Sequence, residues 1–92
     1  MGLTLTDLEK CFKKAIENND KFVAVSIVIP NCEKCEEIIN PRENFEAKLE
    51  YYKKSYNEDL TLKSFNQIKI KGFMSGNNYE ALGNTIKILS KL

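Results

Sequence analysis

The sequence predicts an α+β fold: a three-stranded sheet with three helices, in the chain order αββαβα. Three observations predict it. Apolar residues recur with helical period in three stretches, near residues 5–17, 45–56 and 79–89. One run, Phe22 to Ile29, is almost wholly β-branched or apolar, as in a strand covered on both faces. Between these stretches the chain is punctuated by Asn, Asp, Gly and Pro, the residues of turns and caps.

The first helix is expected from Leu5 to Glu17. Thr4 with Asp7, or Thr6 with Glu9, supplies a capping box, and Leu3 and Leu8 sit where a hydrophobic staple would place them. Leu5, Leu8, Phe12, Ala15 and Ile16 form one apolar stripe, with Cys11 beside it. Asn18-Asn19-Asp20 stops the helix. The first strand, Phe22 to Ile29, is richer on its odd face and reads as the central one; Pro30 ends it. Residues 31–35 read as a turn, and Glu37-Ile38-Ile39 as a short antiparallel return. The second helix is expected to start with Asn40 as N-cap, Pro41 at the first helical position and Glu43 at N3. Phe45, Leu49, Tyr52 and Tyr56 give its inward line. Leu60 and Leu62 pin a connector to the core. Ile68-Lys69-Ile70-Lys71 alternates as a half-buried edge strand, its lysines discouraging edge-to-edge pairing. Gly72 to Gly76 then reads as a β-to-α turn. Asn77 is the expected cap of the third helix, whose inward line is Tyr79, Leu82, Ile86 and Leu89. Gly83 marks either tight packing or local weakness there.

A right-handed crossover through the second helix places the third strand parallel to the second, on the far side of the first. The expected sheet order is 2-1-3, with helices mainly on the β-branched face. Residues 1–92 read as a single domain without repeats or linkers.

Composition narrows the function. Hydrophobic residues make up 42% and charged residues 29%, values of an ordinary globular domain. Fourteen Lys+Arg against 13 Asp+Glu leave no basic excess of the kind nucleic-acid binders use. There is no histidine, which removes Ser-His-Asp triads, Cys-His dyads and His-containing metal sites. Met1-Gly2-Leu3-Thr4 does not read as a signal peptide, and no apolar run reaches the roughly 20 residues of a bilayer span. The expectation is a cytoplasmic chain with reduced thiols.

Cys32-Glu33-Lys34-Cys35 is the one motif that invites chemistry. As a thioredoxin-like pair, Cys32 would be the nucleophile and Cys35 the resolver. Against this, the only proline after Cys35 is Pro41 at a helix start, and Glu33, Glu36 and Glu37 would raise a thiol pKa. As half a zinc site, the pair needs four ligands in all, which a homodimer sharing two pairs could supply. As plain turn residues, the cysteines do neither. Cys11 reads as a space-filling thiol. The carboxylate pairs Glu36-Glu37, Glu43-Glu46 and Glu58-Asp59 belong to caps or solvated faces, and no cofactor is implied.

The second helix carries Arg42, Lys48, Tyr51, Lys53, Lys54 and Tyr56, a basic and aromatic set that could stack and hold single-stranded nucleic acid. Glu46, Glu50 and Glu58 dilute that field, so nucleic acid is not the favoured partner. Tyr51 lies off the Phe45–Leu49 line and beside lysines, the composition of a protein-contact patch. Arg42, Lys48, Tyr51 and Lys54 are therefore the candidate partner-binding residues.

The block Ile38-Ile39-Asn40-Pro41-Arg42-Glu43-Asn44-Phe45-Glu46-Ala47-Lys48-Leu49-Glu50-Tyr51-Tyr52, with Tyr56-Asn57-Glu58-Asp59-Leu60, is about a quarter of the chain. It is similar to small phage- and prophage-encoded proteins of low-GC bacteria. The resemblance implies a mobile-element origin and no catalytic site. The combined expectation is a non-catalytic interaction protein, a phage accessory or anti-defence protein that blocks a host protein. The alternatives are a thiol oxidoreductase using Cys32 and Cys35, or a zinc-bridged dimer.

Overall fold

The computed structural model describes residues 2–31 and 36–90. Its elements are α1 (Leu5–Glu17), β1 (Phe22–Val28), β2 (Glu36–Pro41), a single 3-10 turn (Arg42–Asn44), α2 (Phe45–Ser55), β3 (Thr61–Leu62), β4 (Phe65–Gly76) and α3 (Tyr79–Ser90). The fold is α+β with three helices, as expected, but the sheet has four strands, not three. All neighbours are antiparallel, in the order β2-β1-β4-β3. The expected third strand is β4, and it does run parallel to β2 on the far side of β1. The addition is β3, which forms the outer edge in its place.

Side chains of β1 alternate across the sheet and so build two cores. Val23, Val25 and Ile27 pack with Leu8, Phe12 and Ala15 of α1 and Phe45 and Tyr52 of α2. Ala24, on the opposite face, packs with Leu82 and Ile86 of α3. Helices therefore cover both faces, where the sequence suggested mainly the β-branched one. The α3 face is shallow because small residues line it: Ala24, Ser26 and Gly76. A Cβ on Gly83 would stand 3.5 Å from the Ile39 side chain, and one on Gly76 3.4 Å from that of Leu82. A methyl group at either position would therefore meet its neighbour at ordinary van der Waals contact. Tyr79, expected inward, is 61% exposed and stacks edge-on against Phe22.

A β-bulge explains why β4 is hard to read. Ser26 faces Gly72 and Ile27 faces Ile70, which leaves Lys71 as the extra residue. Before the bulge, Ile68 and Ile70 face the α1/α2 core; after it, Phe73 does. The period-2 pattern therefore changes phase within the strand. Gly72 to Gly76, expected as a turn, continues β4, and β4 is an interior strand rather than an edge.

Two caps also differ. Asn40 does not start the second helix. It is buried in β2 opposite Val23, and its Nδ2 donates to the Val23 carbonyl at 3.2 Å. The chain then passes through the 3-10 turn before α2 begins at Phe45. Asn78, not Asn77, caps α3 by accepting from the Ala81 N–H at 2.9 Å. Asn77 accepts the Lys21 N–H instead, at 3.0 Å.

The ends of α1 are closed. Thr4 and Asp7 form the expected capping box. The Leu5 N–H donates to the Glu58 carbonyl (2.8 Å), and the Thr6 N–H and hydroxyl donate to the Glu58 carboxylate (3.1 and 2.8 Å). These bonds hold the Glu58 carboxyl below its usual pKa, led by the Thr6 hydroxyl. All the donors a helix leaves free in its first turn are thus satisfied. Leu60, two residues on, is buried with φ 70°, a left-handed conformation that L side chains adopt at a cost. Its side chain reaches the core and its carbonyl accepts the Ile70 N–H at 3.0 Å.

Tyr52 is wholly buried, and its hydroxyl meets no hydrogen-bond partner among the described residues. Burial pushes its pKa up. The nearby Asn40 carboxamide opposes part of that rise while standing outside hydrogen-bond geometry. An unpaired buried hydroxyl costs about 1–3 kcal/mol. Tyr52→Phe is therefore expected to stabilise the fold by about 1 kcal/mol and raise the melting temperature by roughly 4–8 °C. A fall in melting temperature would show that the hydroxyl is bonded.

Candidate functional site

Helix α2 presents its apolar line inward through Phe45, Leu49 and Tyr52, with Tyr56 just beyond its end. Lys48, Tyr51 and Lys54 follow one another at three-residue steps around α2: Tyr51 and Lys54 are exposed, and Lys48, half-buried, borders the inward line. Exposed Ala47 flanks Tyr51 there without shielding it.

Tyr51 is 47% exposed and is held from beneath. Its ring meets Tyr52 at 5.4 Å between centroids and Tyr56 at 6.5 Å, both edge-on. The Lys48 ammonium lies over two rings, 5.1 Å from the Tyr51 centroid and 5.4 Å from that of Tyr52. Tyr56 is pushed up to about 12, first by burial and then by its tyrosine neighbours. Burial likewise pushes the Tyr52 phenol up, so Tyr52 and Tyr56 stay protonated at physiological pH. The cluster is an aromatic platform with a cation over it.

The other cations around α2 have intramolecular partners. Lys54 pairs with Glu50 at 2.8 Å, and Lys53 crosses to Glu9 of α1 at 2.9 Å, where Lys13 also approaches at 3.8 Å. Lys53 holds the Glu9 carboxyl below its usual pKa; Lys54 does the same for Glu50. Arg42 does not join the patch. Its guanidinium donates to the Asp20 carbonyl at 3.2 Å and the Ile16 carbonyl at 3.3 Å, closing the C-terminal end of α1. Sequence spacing could not reveal this, because those acceptors lie 22 and 26 residues away. The structure therefore assembles Lys48, Tyr51 and Lys54 and gives Arg42 a structural task. A shallow groove beside them, about 400 Å³, is formed by Glu46, Leu49, Glu50, Lys53 and Lys54.

Cys32 and Cys35 lie outside the described residues. Cys11 is half-buried in α1, and burial, with Asp20 nearby, pushes its thiol up to about 11. That lowers its thiolate fraction at pH 8 about a hundredfold relative to an ordinary thiol. Alkylation of Cys11 by iodoacetamide, followed by peptide mass spectrometry, is expected to be slower by a similar factor than in urea. Equal rates would show an accessible thiolate.

Among the described residues, no helix is long and apolar enough to cross a membrane. No protein family, curated protein or solved structure matches the chain.

Proposed function

We propose that the protein is a non-catalytic binding module that contacts another protein through the outer side of α2, centred on Tyr51. The observation that carries this reading is the half-exposed Tyr51 ring, braced by Tyr52 and Tyr56 and flanked by Lys48. A large aromatic that is already immobile loses little entropy on binding, and tyrosine is enriched among residues that dominate interface energies. Nucleic acid is the weaker reading, because Arg42, Lys53 and Lys54 already hold carbonyls or carboxylates within the chain. In this reading the protein works in the cytoplasm. The likeness of the Ile38–Leu60 block to phage and prophage proteins would make the partner a host protein that a mobile element blocks.

The test is affinity capture from cytoplasmic extract with the full chain, read by mass spectrometry beside a Lys48→Ala/Tyr51→Ala variant. A specifically captured protein should bind the variant on the order of 30-fold more weakly, with the variant still folded by circular dichroism. Unchanged affinity for every captured protein would remove the assignment.

A further inference from the structure

The two edges of the sheet differ. The outer side of β3 is already bonded: the Asn57 N–H donates to the Thr61 carbonyl and the Lys63 N–H to the Ser55 carbonyl, both at 2.8 Å, and Tyr56 bridges to Leu62. The other edge strand, β2, runs for six residues and has β1 as its only neighbour among the described residues. The ladder fixes which of its backbone groups face outward. The Arg42 N–H donates to the Lys21 carbonyl at 2.8 Å, and the Val23 carbonyl accepts from the Asn40 carboxamide. Lys21 and Val23 therefore turn their carbonyls toward β2. In an antiparallel pair, residues that bond across alternate with residues that do not. In the register of β1 with β2, Asn40 and Ile38 then face β1, while the backbone groups of Glu37, Ile39 and Pro41 point away from the sheet. Proline fits this phase, because at an outward position it has no ladder N–H to lose. Glu37 and Ile39 each present an N–H and a carbonyl on an open edge, which is a template for another strand.

Helix α3 overhangs the same edge. A Cβ at Gly83 would stand 3.5 Å from the Ile39 side chain, which places that side of α3 over β2. Glu80 and Lys87, three residues before Gly83 and four after it, share this side. Both are exposed, and neither has an ion-pair partner among the described residues. We propose that β2 pairs antiparallel with β2 of a second copy of this chain, joining the two sheets into one and setting α3 beside its copy. Glu37 and Ile39 exchange backbone bonds with Ile39 and Glu37 of the second copy, and the two Ile38 residues lie at the axis. The same two-fold operation runs α3 antiparallel to its copy and brings Glu80 of each chain toward Lys87 of the other. A parallel pairing would set Glu36 and Glu37 beside their own equivalents; the antiparallel one sets them opposite Asn40 and Ile39. A strand from an unrelated protein would satisfy the edge but leave Glu80 and Lys87 unmatched. The interface is small, so the dimer is reversible. It uses no residue of the α2 surface and does not require the reading proposed for it.

Sedimentation equilibrium of the full chain at pH 7, from micromolar to about millimolar concentration, is the test. The native chain should pass from monomer to dimer across that range, and the Glu37 and Ile39 amides should exchange with solvent more slowly as it does. Glu37→Pro removes an outward N–H at an edge position, where proline is tolerated. Glu80→Lys sets like charges together. Each should weaken dimerisation about ten-fold, with the circular dichroism of the monomer unchanged. The exchange Glu80→Lys/Lys87→Glu restores opposite charges and should recover most of what Glu80→Lys loses. The proposal is overturned if the native chain stays monomeric at every concentration, which would leave the edge to a strand of another protein. It is equally overturned if Glu37→Pro dimerises as well as the native chain, or if the charge exchange recovers nothing.

Discussion

Phe12→Ala is expected to remove about half of the stability of the fold. Phe12 is fully buried, and its ring meets Phe45 edge-on at 5.5 Å and Tyr52 at 6.1 Å. It stands where α1, α2 and β1 converge, so no single side chain can move in to fill the space. Phenylalanine-to-alanine changes in such positions cost about 3–5 kcal/mol. A domain of this size has about 5–10 kcal/mol in total. Urea unfolding followed by circular dichroism should show the midpoint falling by about half with a similar slope. A loss below about 1 kcal/mol would mean that the α1–α2 core is not packed as described.

Ile86→Ala is expected to act differently, releasing one helix rather than the whole domain. The buried hold of α3 on the sheet consists of Leu82 and Ile86 against Ala24, with Phe22, Ile39 and Met74 only partly buried around them. Truncating Ile86 costs about 2–4 kcal/mol. Because that core is separate from the larger one, the loss falls on α3. Hydrogen exchange should accelerate in α3 by roughly 30- to 1,000-fold, while amides of α1 and β1 keep most of their protection. Uniform acceleration across the sheet would show that the two cores unfold as one.

Elements defined by local chemistry were legible in the sequence. The span of α1 and its Thr4–Asp7 box, the apolar run of β1, and the buried line Phe45–Leu49–Tyr52–Tyr56 all follow from spacing and capping alone. What could not be read depends on partners distant in the chain. Asn40 looks like a helix cap until β1 pairs with it. Arg42 looks like a surface cation until the carbonyls of α1 come within reach. The bulge at Lys71 breaks the alternation by which a strand is recognised, so the second half of β4 resembles a turn. Of the candidate contact residues, Lys48, Tyr51 and Lys54 could be grouped because helical spacing places them together. The position of the Lys48 ammonium above two rings could not.

The bonding of α1 also bears on synthesis. Helix α1 is clasped at one end by Arg42 and at the other by Glu58, the latter 52 residues downstream of Thr6. Neither clasp exists until its residue has left the ribosome. A short helix alone in water is marginal, so α1 gains both holds only once residues 42 to 58 are present.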